Sequence, residues 1–184
     1  GAVVEHIAED SDGRMPLEHF ESAIDERTAV VALSRICYRH GGKILDNEVR
    51  EIVSMAHRHG ALVILDCFQS LGAEMLDVKA LGVDFAVGGT YKYLLGAAGI
   101  AYFYARREGV GGLVPTMSGW FAQGRVGAMD IFANEPSRTA TRFQAGTPPV
   151  PSCYASVAGL ELILDIGAEA IESHVRGLTA RAVD

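Results

Sequence analysis

The sequence predicts an α/β protein in which a mostly parallel sheet is flanked by helices. Three observations carry that prediction: short apolar runs recur along the chain, a stretch with helical spacing separates the first two, and polar residues sit where the runs end. Residues 28–33 (TAVVAL) are apolar and rich in β-branched side chains, so they read as a strand covered on both faces. A loop with Gly41-Gly42 follows, and then a helix over 46–59. Val49, Ile52, Val53 and Ala56 fall at helical spacing there, and Gly60 is a good stop. Residues 61–65 (ALVIL) form a second buried strand, 83–87 a third and 100–105 a fourth. Strand, helix and strand in repetition imply parallel pairing.

Beyond about residue 106 the pattern loosens. Residues 109–127 are glycine-rich and irregular and contain Trp120, the one tryptophan. Residues 138–151 read as an extended loop, and helices over 151–165 and 168–183 close the chain. There is no internal repeat and no low-complexity tract.

Bulk properties exclude several function classes. The chain has 184 residues, enough for one sizeable core, and 49% of them are hydrophobic. The net charge of −7 argues against a nucleic-acid binder. No apolar run reaches the roughly 18 residues of a membrane helix, and the first residues carry no signal-peptide pattern. Three cysteines at scattered spacings (Cys37, Cys67, Cys153) suit a reducing cytoplasm better than a disulfide framework. His57 and His59 lie in the last turn of a predicted helix, where the dipole favours them, and no metal site is expected from them.

Ligands in open parallel sheets bind beyond the carboxyl ends of the strands. That rule selects Ser34 after the first strand, Asp66 and then Gln69 after the second, and the stretch Gly88 to Lys92 after the third. The chain has three lysines, Lys43, Lys79 and Lys92, and Lys92 stands in an apolar, glycine-rich setting that predicts burial. Alone, Asp66 reads as a turn cap and Lys92 as a snorkelling side chain. Together they suggest more. Desolvation disfavours the ammonium form and leaves a nucleophilic amine able to form a Schiff base, and a nearby carboxylate can hold the protonated ring nitrogen of pyridoxal phosphate.

The stretch "DFAVGGTYKYLLGAAG" (84–99), within a run from 64 to 107, resembles the class V aminotransferase superfamily of fold type I, and kynureninases most of all. "VVALSRICYRHGGKILD" (30–46), "SGWF" (118–121) and "RFQAGTPPVPS" (142–152) extend the resemblance over nearly the whole chain. It implies that Lys92 forms the Schiff base with pyridoxal phosphate and later shuttles protons at the substrate α-carbon. It also implies that Asp66 pairs with the pyridinium nitrogen and Gln69 lies near the ring's phenolic oxygen. Tyr91 would bond the phosphate, Ser34 and Tyr38 would lie near ring and phosphate, and Trp120 near the phosphate.

Gly146-Thr147 matches a loop that reaches the phosphate of a neighbouring subunit, so a homodimer with its active site at the subunit interface is implied. Tyr38 and Trp120 could equally be core or interface aromatics. Arg142 could face a substrate carboxylate, although a structural role is the stronger reading. The resemblance further implies that residues 1–184 are one partial large domain, without the phosphate-gripping segment before it and the small domain after it.

The expected function is therefore that of a pyridoxal-phosphate enzyme acting on a small amino-acid substrate, kynureninase-like. A cysteine desulfurase or selenocysteine lyase is the alternative: Gln69 favours it, and Tyr91 disfavours it. An aminotransferase or epimerase of the same superfamily stands third. A catalytically inert α/β oligomerisation domain is the reading from another class. A cytoplasmic protein without nucleic-acid or membrane partners is expected throughout.

Overall fold

A computed structural model describes residues 1–183. The elements in order are α1 (Leu17–Ala23), β1 (Val30–Ser34), α2 (Asp46–Arg58), β2 (Leu62–Asp66), α3 (Val78–Leu81), β3 (Phe85–Gly89), β4 (Ala101–Ala105), α4 (Arg107–Val110), α5 (Val150–Ile166) and α6 (Ala168–Val183). Short 3₁₀ turns at Trp120–Ala122, Val126–Ala128 and Ala140–Phe143 punctuate the irregular region.

The strands form one sheet in the order β1-β2-β3-β4. β1, β2 and β3 are parallel, with Ser34 level with Asp66 and Asp66 level with Val87. β4 runs antiparallel to β3. No crossover helix separates β3 from β4; the lysine-bearing loop joins them and sends the chain back along β3.

The core lies on one face of this sheet. Val31, Leu33, Val63, Leu65 and Ala86 alternate inward and meet Val49, Ile52, Val53 and Ala56, the predicted apolar stripe of α2. Burying each of the larger aliphatic side chains contributes about 1.5–3 kcal/mol. The other face differs from expectation. β1 is not covered on both sides: Val30, Ala32 and Ser34 are exposed, and β2 is half-buried on that face. Toward the far end of this face Phe85, Phe103 and Phe143 pack together, with ring centres 4.9–6.1 Å apart.

Polar ties fix the ends of the sheet. Asp84, fully buried ahead of β3, accepts the Val63 N–H at 2.8 Å and pairs with Arg106 after β4 at 2.5 Å. It also holds His57 Nε2 at 2.8 Å. His57, in the last turn of α2, is thus a structural tie between that helix and the sheet. No helix among the described residues is long and apolar enough to cross a membrane.

Candidate active site

The carboxyl ends of the three parallel strands open into a cavity of about 240 Å³, lined by Ser34, Ile36, Tyr38, Asp66, Phe68, Gln69, Tyr91 and Lys92. Six of the eight residues singled out from sequence therefore meet in one place. Trp120 and Thr147 do not. Trp120 is half-exposed, stands edge-on to Phe121 at 4.5 Å, and lines a separate cavity of about 520 Å³ with Arg125, Asp130 and Asn134. Thr147 is exposed in the loop before α5.

Asp66 serves two purposes at once. Its Oδ1 accepts the Phe68 N–H at 2.9 Å, the local turn that a lone aspartate predicts. Its Oδ2 accepts the Ser34 hydroxyl, also at 2.9 Å, from the adjoining strand. Neither donor is a cation, and each carboxylate oxygen keeps capacity for another N–H. The aspartate is thus aimed and held without being neutralised by these partners.

Lys92 is half-buried, not enclosed, and this corrects the burial expected from its apolar neighbours. Tyr91 and Tyr93 on either side are exposed, and Leu94 is the residue that turns inward. A loop of alternating direction cannot bury every apolar side chain it carries. The Lys92 amine lies 4.8 Å from the centre of the Phe68 ring, and Phe68 in turn meets Tyr91 edge-to-face at 5.2 Å. The aromatic face guides the amine by a cation–π contact and sits on the residue that bonds Asp66.

A buried charge group secures the loop after β1. Arg35, beside Ser34 in sequence, is 3% exposed and donates to Glu74 at 3.0 Å, to the Ile44 carbonyl at 2.6 Å, and to Asp46. Glu74 also pairs with Lys43. Buried charges persist when they are paired and hydrogen-bonded, and this set ties the β1–α2 loop to the turn that follows β2. Cys67, next to Asp66, points into the core; burial above all, and then the Asp66 charge, pushes its thiol up to about 12.

Arg142 has the structural role. It is buried and donates to the carbonyls of Gly111 and Leu113 at 2.8 Å, and to those of Thr139 and Arg138. Its fork is spent on backbone. Glu9, Cys37 and His40 also come within 4.8 Å of one another, a grouping hidden from sequence because Glu9 belongs to the distant N-terminal arm. Arg39 shares the Glu9 carboxylate, and the Gly42 N–H donates to His40 Nδ1, which assigns the ring proton to Nε2, facing Glu9. His40 first, and then Arg39, holds the Glu9 carboxyl below its usual value. The group is a closed hydrogen-bonded set, not an open ligand shell.

The family model "Aminotransferase class-V" matches residues 1–184. The chain belongs to the class-V aminotransferase family. This family member is 38% identical to the "Uncharacterized aminotransferase YcbU" of Bacillus subtilis (strain 168), over 94% of this chain and 44% of that one. It is 36% identical to a kynureninase of Pseudomonas fluorescens, over 79% of this chain and 34% of the relative. The apo cysteine desulfurase of Thermococcus onnurineus NA1 superimposes with a TM-score of 0.78 at 26% identity, covering 97% of this chain and 43% of the other. The chain spans less than half the length of these relatives.

Pyridoxal phosphate is the cofactor of this class of enzyme, and the donor set fits it. An amine and a carboxylate not engaged by a cation share one cavity, with an amide and three hydroxyls around them. Sequence reasoning missed Phe68, which bridges Asp66 and Lys92; an aromatic two residues after a strand-end aspartate was the available signal.

Proposed function

We propose that the complete protein carrying this chain is a pyridoxal-phosphate enzyme acting on an amino acid, with kynureninase-like hydrolysis of a side-chain Cβ–Cγ bond as its reaction. The observation that carries this reading is the shared cavity of Lys92 and Asp66, with Ser34 fixing the carboxylate. When bound, pyridoxal phosphate supplies an electron sink for charge developing at the substrate α-carbon. Asp66 binds and orients the ring nitrogen by charge and hydrogen bond. Lys92 would hold the cofactor covalently through its amine, and that amine would hold and move a proton at the α-carbon. Gln69 meets the phenolic oxygen, and Tyr91 and Tyr38 offer hydroxyls to the phosphate.

Thr147 acts, in this reading, at a neighbouring subunit's phosphate, and Trp120 lies near the cofactor phosphate. Both are far enough from the Lys92 cavity to line none of it. The protein is accordingly proposed to work as a homodimer, in the cytoplasm, with residues 1–184 forming part of its cofactor-binding domain.

One observation favours a second reading. Gln69 in the cavity is the residue that desulfurases carry where kynureninases usually have His. Incubating the complete protein, supplied with pyridoxal phosphate, with L-kynurenine and, separately, L-cysteine decides between them. Release of the aromatic amine with alanine supports the kynureninase-like reading. Alanine from cysteine, with sulfide released once a thiol reductant is supplied, replaces it with the desulfurase. Turnover of neither, with no visible cofactor band, favours an inert module.

A further inference from the structure

We propose that Ser156 of α5 is a positioning residue for Lys92, locking the loop that presents the amine to the cavity. The inference rests on the reading of Lys92 as the cofactor-anchoring lysine.

Ser156 lies 66 residues from Thr90 in sequence and is 2% exposed. Thr90 Oγ1 donates to the Ala97 carbonyl at 2.9 Å, and the Ala97 N–H donates to Ser156 Oγ at 3.2 Å. Ser156 Oγ and Thr90 Oγ1 are 3.1 Å apart. Each hydroxyl has one proton, so with the Thr90 proton committed to Ala97, Ser156 must donate to Thr90. The three residues close a ring of hydrogen bonds in one consistent direction, with every donor in it matched to an acceptor. Thr90 and Ala97 bracket Lys92, so the ring pins both ends of its loop.

Steric contacts complete the lock. A Cβ on Gly159, one turn along α5, would lie 2.4 Å from the Leu95 carbonyl oxygen, and one on Gly96 would lie 2.6 Å from Ser156 Oγ. Inside the loop the Leu95 N–H donates to the Lys92 carbonyl at 3.0 Å, and Leu95 adopts a φ of 56°. L-residues other than Asn, Asp and His seldom occupy that region, and they stay there only where surrounding contacts hold them. α5 supplies those contacts from behind the cavity. The sequence signal is the pair of small residues Ser156 and Gly159, three apart on a largely apolar helix.

The test uses the complete protein freed of cofactor. Pyridoxal phosphate is added, the Lys92 amine condenses with the aldehyde with loss of water, and borohydride reduces the C=N bond to a stable amine. The trapping rate is read by peptide mass. Ser156→Ala and Thr90→Val should slow labelling of Lys92 roughly two- to tenfold, the factor of one lost hydrogen bond. They should also shift the pH midpoint of the bound cofactor's visible band, while Thr90→Ser, which keeps the hydroxyl, should match the wild type on both readouts. Unchanged rate and midpoint in both Ser156→Ala and Thr90→Val would overturn the proposal. So would a rate loss in Thr90→Ser equal to that in Thr90→Val, since packing alone would then explain it. No label on Lys92 in the wild type would overturn this inference and the cofactor reading together, an outcome separable from the first two.

Discussion

The Ser34 hydroxyl donates to Asp66 Oδ2 at 2.9 Å across the ends of two adjacent parallel strands. The bond exists because the register sets these residues level, and it leaves one carboxylate turned toward the cavity. Ser34→Ala removes the donor and nothing else of consequence. Affinity for pyridoxal phosphate should fall roughly two- to tenfold, the range for one hydrogen bond at an exposed strand end. Titrating the cofactor absorbance against protein checks this, and an unchanged affinity would show that Asp66 needs no such restraint.

A second prediction concerns thiol chemistry. Cys67 is 1% exposed and its thiol is pushed up to about 12, by burial first and the Asp66 charge next, whereas Cys37 and Cys153 are half-buried. Alkylation of the native protein at pH 8 should modify Cys37 and Cys153 well before Cys67. Rapid native modification of Cys67 would contradict its inward placement and reopen it as a nucleophile.

Asp84 contributes to the acid limit of stability. Burial, the largest single influence, works to raise its carboxyl, but the bonds from His57, the Val63 N–H and Arg106 together outweigh it and hold the group below its usual 3.8. A depressed carboxyl adds stability above the unfolded value and loses it as pH falls through the folded one. Asp84→Asn should cost about 1–3 kcal/mol near neutral pH, because it removes the charge that holds the half-buried His57 and Arg106, and it should flatten the loss of stability below about pH 4. Urea denaturation at several pH values measures both. Parallel acid profiles for wild type and variant would refute the assignment.

Gly159→Ala separates helix propensity from docking. In an exposed helix the change would add about 1 kcal/mol of stability. Here the new methyl would meet the backbone oxygens of Leu95 and Leu94 at 2.4 and 2.7 Å, and such overpacking costs about 1–3 kcal/mol. A lower melting temperature is expected, and a higher one would mean that α5 can withdraw from the lysine loop freely.

These relationships differ in how far the sequence reveals them. The apolar stripe Val49, Ile52, Val53 and Ala56 and the strand ends at Ser34 and Asp66 are legible because periodicity and a polar residue after an apolar run are local patterns. The helix over Val78–Leu81 is not, because four residues carry no periodicity; its signal is Asp77, whose side chain caps the N–H groups of Lys79 and Ala80. The exposed face of β1 is not, since Val30 and Ala32 look the same in sequence whether or not anything covers them. The gathering of Ser34, Tyr38, Asp66, Gln69, Tyr91 and Lys92 follows from the parallel-sheet rule together with the resemblance. The Thr90–Ser156 ring belongs to tertiary structure alone.

The central claim is that Lys92 anchors the cofactor, and the small number of lysines makes it directly measurable. Borohydride reduction of the protein with pyridoxal phosphate, followed by peptide mapping, asks which of Lys43, Lys79 and Lys92 is labelled. Lys43 is engaged with Glu74, and Lys79 stands in α3 away from the cavity. Label on Lys92, abolished in Lys92→Ala together with the visible cofactor band, is the predicted result. Label on Lys43 or Lys79 with Lys92 untouched, or a band that survives in Lys92→Ala, would contradict it.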